Sequence, residues 1–128
     1  MRPELLYLKD IIEAADAIQR FLANVDRANF LRSELIASAV LQKLIVIGEA
    51  AARIPSDFRE KHENVEWSDI TAFRNIAVHA YFSVDWATVW VTATQDVPEL
   101  RREILKVLSA EFPDSSTSVS KDSQDSTE

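Results

Sequence analysis

The sequence predicts an all-α fold. A single glycine and four prolines interrupt its 128 residues, so turn signals are scarce. Alternating apolar and polar runs bounded by turn residues, which would indicate β-strands, do not occur. Apolar residues recur instead at the three- and four-residue steps of amphipathic helices. The length suits one domain, which we place at residues 1–112, and residues 113–128 are set apart as a tail.

The first helix is predicted from about Pro3 to Asn24, because proline is favoured at the first helical position. Its apolar stripe consists of Leu5, Leu8, Ile12, Ala15, Ile18 and Leu22. A second helix is predicted from about Ser33 to Ile54. Its apolar residues are Leu35, Ile36, Ala39, Val40, Leu44, Ile47 and Ala51. This set is broad enough to imply burial on more than one side, so we expect this helix to be central.

Gly48 lies inside the predicted central helix. Glycine at such a position costs roughly 1 kcal/mol relative to alanine. A packing reason is therefore expected, namely that another segment approaches the helix closely where it has no side chain.

Pro55 should end the central helix, and Ser56 or Asp57 can cap a short helix to about Glu63. After a loop, Ser68 or Asp69 can cap a further helix. Its expected core residues are Ile70, Phe73, Ala77 and Ile76.

Asp85 is the predicted cap of the last helical region, which should run to about Phe112. Its apolar stripe consists of Val89, Ala93, Val97, Leu100, Ile104 and Leu108. Pro98 falls inside this stripe, and proline removes one backbone hydrogen bond and clashes with the preceding turn. We expect a kink or a junction of two helices near residues 96–97. The tail, Pro113–Glu128, has one apolar residue and should be disordered.

Composition narrows the function classes. Cysteine is absent, so the chain has no disulfide, no thiolate nucleophile and no cysteine-based zinc site. Apolar runs fall short of the roughly 20 residues that span a bilayer, and the N-terminus lacks a signal-peptide layout. We therefore expect a soluble, cytoplasmic protein that does not enter membranes.

The net charge of −7 argues against a broad nucleic-acid-binding surface. The tail holds four acidic residues and one lysine, which leaves −4 for residues 1–112. A contact with RNA would therefore need a local basic cluster, and a dimer could bring two such clusters together.

The segment from Arg74 to Tyr81 (RNIAVHAY) carries the candidate site. Arginine offers a permanent charge and a planar set of donors to phosphate oxygens, and histidine can transfer a proton near neutral pH. Asn75 and His79 lie one helical turn apart, so the amide can orient the imidazole. Arg74 lies about 140° around an ideal helix from His79, which would leave both at a rim.

Structural roles for the same residues are also open. His79 could interact with the carbonyls at a helix C-terminus, and Arg74 could pair with Asp69 or Glu66. Tyr81 could be a core or boundary aromatic residue. The group His62, Glu63 and Glu66 lacks the spacing of metal ligands, so we expect a solvated loop there and no metal site.

The spacing Arg74-x4-His79-x-Tyr81 resembles the R-x4-H-x-Y signature of the HepT family, a branch of the HEPN helical domains. The resemblance covers about residues 4–108 and includes further segments in the same order. These are residues 45–51 (IVIGEAA), 58–62 (FREKH), Trp67, 81–85 (YFSVD), Val89–Trp90 and 96–100 (DVPEL). Phe73 stands where methionine is common in the family, and the serine-rich tail lies outside the family pattern.

The resemblance implies an antiparallel bundle of four to five helices that forms a homodimer, with both motifs lining a cleft at the interface. It also implies the toxin of a toxin–antitoxin pair, acting on RNA as a metal-independent ribonuclease without a cofactor. Arg74 and His79 would be catalytic and Asn75 supporting. The antitoxin would be a minimal nucleotidyltransferase that silences the toxin by adenylylating Tyr81.

Two other classes stay open at this point. The chain could be a non-catalytic helical partner that a nucleotidyltransferase binds and modifies. It could also be a dimeric interaction module in which the motif is structural.

Overall fold

The computed structural model describes residues 2–76 and 85–113, and every regular element in these two ranges is helical. The α-helices are α1 (Pro3–Phe21), α2 (Arg27–Arg32), α3 (Glu34–Arg53), α4 (Ser56–Lys61), α5 (Trp67–Thr71), α6 (Trp86–Val91) and α7 (Val97–Glu111). A π-helical turn (Thr92–Asp96) joins α6 to α7, and residues 73–76 are also helical. The predicted all-α fold is confirmed. The predicted disorder of residues 114–128 lies outside the described residues.

The core forms where α1 packs against α3 and α7. Of the stripe predicted for α1, the five residues from Leu5 to Ile18 are buried. Leu22 is only partly buried because the helix ends at Phe21, earlier than the predicted Asn24. Asn24 has a φ of 61°, a left-handed conformation that asparagine tolerates and that an α-helix cannot contain. A side-chain contact ties α1 to α7, with Arg101 Nε donating to Asp16 Oδ1 at 2.7 Å.

Helix α2 was not predicted. Its N-cap is Asp26, whose Oδ1 accepts from the Asn29 backbone N–H at 2.8 Å. Phe30 is fully buried and lies against the Trp90 ring, with 5.3 Å between ring centroids. The helix has six residues, too few to display an apolar stripe that a periodicity search could detect.

The predicted bounds of the central helix are confirmed to within one residue. Ser33 caps α3 by accepting from the Ile36 N–H at 3.1 Å, and Ile54 is its C-cap. At the other end, Arg59 donates to the carbonyls of Ala52 and Ile54 at 3.0 and 2.8 Å. The expectation that Leu35 joins the core was wrong, since it is 82% exposed in the first turn.

Helix α3 is long and apolar enough to cross a membrane by length and composition alone. The expectation that no apolar run approaches that length was therefore wrong. The helix packs against α1, α2 and α5, and eight of its residues are buried among them. The core of a folded domain thus accounts for its apolar composition.

Two predicted caps were wrong. Ser56 begins α4 with Pro55 as its N-cap, and no side chain caps that end. Ser68 and Asp69 lie inside α5, which begins one residue earlier at Trp67. The buried Trp67 ring fixes this start because its Nε1 donates to the His62 carbonyl at 3.0 Å.

The prediction for the C-terminal region is confirmed. Asp85 caps α6, its Oδ1 accepting from the Thr88 N–H at 3.1 Å and its Oδ2 from the Thr88 hydroxyl at 2.6 Å. These two hydrogen bonds lower the pKa of Asp85. Every member of the predicted stripe from Val89 to Leu108 is buried. The interruption expected at Pro98 is the π-helical turn that ends at Asp96, after which α7 begins with the proline in its first turn.

Candidate active site

The predicted site residues divide between the described and undescribed parts of the chain. Arg74 and Asn75 lie in the helical residues 73–76. His79 and Tyr81, together with the predicted core residue Ala77, lie in residues 77–84, outside the described residues. The described part of the site therefore consists of Arg74, Asn75 and the residues that contact them.

Phe73 and Ile70 anchor the segment that carries Arg74. Both side chains are buried, as predicted, while Ile76 is partly buried. The Asn75 backbone N–H donates to the Ala72 carbonyl at 2.9 Å, and the Asn75 residue is exposed. One helical turn thus buries Phe73 and leaves Asn75 exposed to solvent.

Gly48 is the point where this segment meets α3. A Cβ atom at Gly48 would lie 2.7 Å from Arg74 Cγ, 2.9 Å from the Arg74 backbone nitrogen and 3.3 Å from the Thr71 carbonyl oxygen. Two of these distances are below 3.0 Å, a separation that real Cβ atoms essentially never show. The close approach expected at Gly48 is confirmed, and the segment that approaches is the one that carries the motif arginine.

Glu49, next to Gly48 on α3, is the acidic partner of Arg74. Its Oε1 lies 3.6 Å from Arg74 Nη1, and the two side chains are 49% and 40% exposed. The alternative pairing of Arg74 with Asp69 or Glu66 is not the one observed. Ion pairs this exposed contribute at most about 1 kcal/mol. Glu49 can therefore orient the guanidinium, and an incoming anion can still displace it.

Sequence reasoning gave Gly48 a packing role but gave Glu49 none. The sequence feature that could have identified Glu49 as a site residue is its position beside Gly48, the only glycine of the chain, within the segment IVIGEAA. Spacing could not pair it with Arg74, because the two residues lie on different helices 25 positions apart.

His62 does not lie in a solvated loop, contrary to expectation. Its side chain is 13% exposed and packs against the Phe58 ring, and its Nε2 lies 2.8 Å from Glu111 Oε1. The hydrogen bond from His62, assisted by Lys61, lowers the pKa of the Glu111 carboxyl. Within residues 2–76 and 85–113 no cluster of histidine and acidic side chains could hold a metal ion. The His62–Glu111 pair instead ties the end of α4 to the end of α7.

A family model described as ribonuclease HepT-like matches residues 11–107, which is most of the chain. The chain belongs to the HepT-like ribonuclease family. The matched range contains α3, the Arg74 segment and most of α7, so it includes Gly48, Glu49 and both described motif residues.

Curated relatives agree with this assignment. Two proteins of Methanocaldococcus jannaschii, provisionally named as RNases, are each 38% identical to the chain, over 98 and 102 residues. These matches cover 77% and 80% of this chain and 90% and 84% of the relatives. A protein of Thermococcus cleftensis, provisionally named ribonuclease HepT, is 36% identical over 101 residues, covering 79% of this chain and 92% of its own. No solved structure matches the chain.

Proposed function

We propose that this HepT-like protein is a metal-independent endoribonuclease and the toxin of a toxin–antitoxin pair. The observation that carries the proposal is the placement of Arg74. Its backbone is fixed against Gly48, its guanidinium is partly exposed, and within residues 2–76 and 85–113 its ion-pair partner is the exposed Glu49. A permanently charged group that is fixed in position and available to an anion suits the phosphate of RNA.

In the proposed reaction, His79 accepts the proton of a ribose 2′-hydroxyl, whose oxygen attacks the adjacent phosphorus. The bond from phosphorus to the 5′-oxygen of the next nucleotide breaks, and that oxygen takes a proton from an imidazolium as it leaves. The products are a 2′,3′-cyclic phosphate and a free 5′-hydroxyl. Arg74 stabilises the negative charge that builds on the phosphoryl oxygens. Asn75 orients His79 or a phosphate oxygen.

Cleavage by the purified protein in the presence of a chelator tests this proposal. We expect RNA to be cut in EDTA and the products to carry cyclic phosphate ends. His79→Ala should abolish cutting and leave helicity and melting temperature unchanged. His62→Gln controls for loss of the other histidine: it removes the contact with Glu111 that ties α4 to α7, so it should lower the melting temperature and leave cutting intact. Loss of folding in His79→Ala, or cleavage that survives it, would contradict the catalytic role.

A homodimer would supply the positive field that an acidic chain lacks. Residues 1–112 carry −4, so two Arg74 side chains near a twofold axis would provide a local basic cluster. Apolar side chains at the protein surface also favour association. These are Leu6, Leu31, Leu35 and Val91. The proposed interface includes the motif segment.

Light scattering at micromolar concentration checks the dimer. We expect a mass of twice the 14.5 kDa of the chain. A mass equal to a single chain would contradict the dimer, and the site would then have to function within one protomer.

Regulation is proposed to act at Tyr81. A partner nucleotidyltransferase would transfer adenylyl groups from ATP to the phenol, with the phenolic oxygen attacking the α-phosphate and pyrophosphate leaving. Each added phosphate would bring negative charge close to Arg74 in the sequence and would compete with RNA for its guanidinium.

Tyr81→Phe is therefore expected to remain a nuclease and to escape silencing when the partner is co-expressed. Mass spectrometry of the co-purified wild type should locate the modification on Tyr81, within residues 71–86. An unmodified chain that the partner nevertheless inhibits would indicate silencing by binding alone.

The alternative is a non-catalytic helical partner of a nucleotidyltransferase. The exposed pair of Arg74 and Glu49 is compatible with that role, because a protein partner could also occupy the guanidinium. The two proposals differ in the chelator experiment, where only the first gives cleavage. In either proposal the protein acts in the cytoplasm, on RNA in the first and with a nucleotidyltransferase in the second.

A further inference from the structure

A groove of about 450 Å³ runs between α5 and the start of α7. Phe73 and Ile76, which flank Arg74 and Asn75 in the sequence, line it together with Ile70 and Leu100. The groove is therefore adjacent to the proposed active site, yet neither Arg74 nor Glu49 lines it.

Two rows of side chains form the walls, each at helical spacing. One wall follows α5 and the next turn, with Glu66, Asp69, Ile70, Phe73 and Ile76. The other follows α7 from its junction with the π-helical turn, with Asp96, Glu99, Leu100 and Glu103. The eight residues from Asp96 to Glu103 span two turns, about 10 Å along the helix axis. The groove is thus long enough for two turns of a bound helix.

The groove has an apolar floor and an acidic rim. Val65, Ile70, Phe73 and Leu100 are buried apolar residues, whereas four of the acidic residues are exposed. Among the residues that the structure describes, five acidic side chains line the groove and no basic one does. Glu103 has partners nearby, since Asn64 Nδ2 lies 3.3 Å and Lys106 Nζ 3.4 Å from its carboxyl oxygens.

We propose that this groove binds a basic amphipathic helix of a partner protein. Two or three apolar side chains of that helix would cover the floor, and its lysines or arginines would face Glu66, Asp69, Asp96 and Glu99. Such helix-in-groove contacts use anchors at three- and four-residue steps. The proposal does not depend on the ribonuclease activity.

The acidic rim disfavours other candidate occupants of the groove. RNA would bring phosphates toward five carboxylates, and like charges in apposition are repelled. The tail of this chain carries four acidic residues and a single lysine, so it is repelled as well.

Peptide binding to the full-length protein tests the proposal. The probe is a fluorescent helical peptide of about 14 residues in which leucines recur at three- and four-residue steps and lysines fill the flanking positions. One matched peptide has the same composition in an order that breaks the leucine stripe, and another has glutamate in place of lysine. We expect the striped basic peptide to bind at least about tenfold more tightly than either.

The double variant Asp69→Lys/Glu99→Lys should weaken binding of the striped peptide by about tenfold or more, because it reverses the charge on both walls. Glu13→Lys/Glu60→Lys is the matched control, because it makes the same change in net charge at two exposed acidic residues outside the groove, and it should leave binding within about twofold. The neutral variant Asp69→Asn/Glu99→Gln should give an intermediate loss, and its melting curve will show whether it is folded. Amide shifts in NMR spectra should change at residues 64–76 and 96–103.

Three results would overturn the proposal. One is equal binding of the striped and scrambled peptides. Another is equal weakening by Glu13→Lys/Glu60→Lys, which would mean that net charge alone attracts the peptide. The third is that spermidine binds more tightly than the peptide and shifts the same amide signals. That result would make the groove a polyamine site.

Discussion

Replacing Arg74 by alanine is expected to lower kcat for RNA cleavage by about 100- to 1,000-fold, the usual effect of removing one group that stabilises transition-state charge. The guanidinium is aimed by two features of α3, the close packing of Gly48 on its Cγ and the nearby Glu49 carboxylate. Single-turnover cleavage of a labelled RNA gives the measurement, because it isolates the chemical step from product release.

The same substitution should leave the fold intact. The Arg74 side chain is 40% exposed and its ion pair with Glu49 is weak, so the melting temperature should change little. Arg102→Ala on α7 removes the same charge from an exposed position and is the matched control for the loss of one positive charge. Arg74→Lys keeps the charge and loses the planar set of donors, so it should recover only part of the rate. If Arg102→Ala lowers the rate as much as Arg74→Ala, the arginine acts through net charge and not at the site.

The long helices were predictable because apolar periodicity and capping depend on residues that are close in sequence. The central helix lies within one residue of its predicted bounds, Asp85 caps α6 as predicted, and the apolar stripe from Val89 to Leu108 is buried throughout. Helix α2 was missed because six residues do not reveal a period. The start of α5 was misplaced because Trp67, a bulky residue whose ring donates to the His62 carbonyl, decides it in place of Ser68 or Asp69.

The candidate site was predictable only in part, for a related reason. The spacing of Arg74, Asn75 and His79 is local, so the sequence could identify the segment. The contacts of Arg74 are not local, because they depend on which face of α3 the segment meets. Gly48 indicated that some segment approaches, without saying which one. His62 was misassigned because its partner Glu111 lies 49 positions away.

The substitution Gly48→Ala tests the link between fold and site most directly. An added methyl group would lie 2.7 Å from Arg74 Cγ and 2.9 Å from the Arg74 backbone nitrogen. The Cγ atom can rotate away, but the backbone nitrogen can move only if α3 and the Arg74 segment separate. Overpacking of this kind costs about 1–3 kcal/mol, and removing a glycine from a helix offsets about 1 kcal/mol of that.

Activity should therefore fall more than stability does. A shift of about 1 Å at a catalytic group can cost about 100-fold in rate, so we expect kcat of Gly48→Ala to drop by roughly that factor while the protein still folds. Gly48→Val should lower both kcat and the melting temperature further. Ser38→Ala, on an exposed position of the same helix, controls for helix propensity and should change the free energy of unfolding by less than about 0.5 kcal/mol. A Gly48→Ala protein that melts higher than the wild type and cleaves RNA at the wild-type rate would mean that Arg74 does not depend on its close packing against α3.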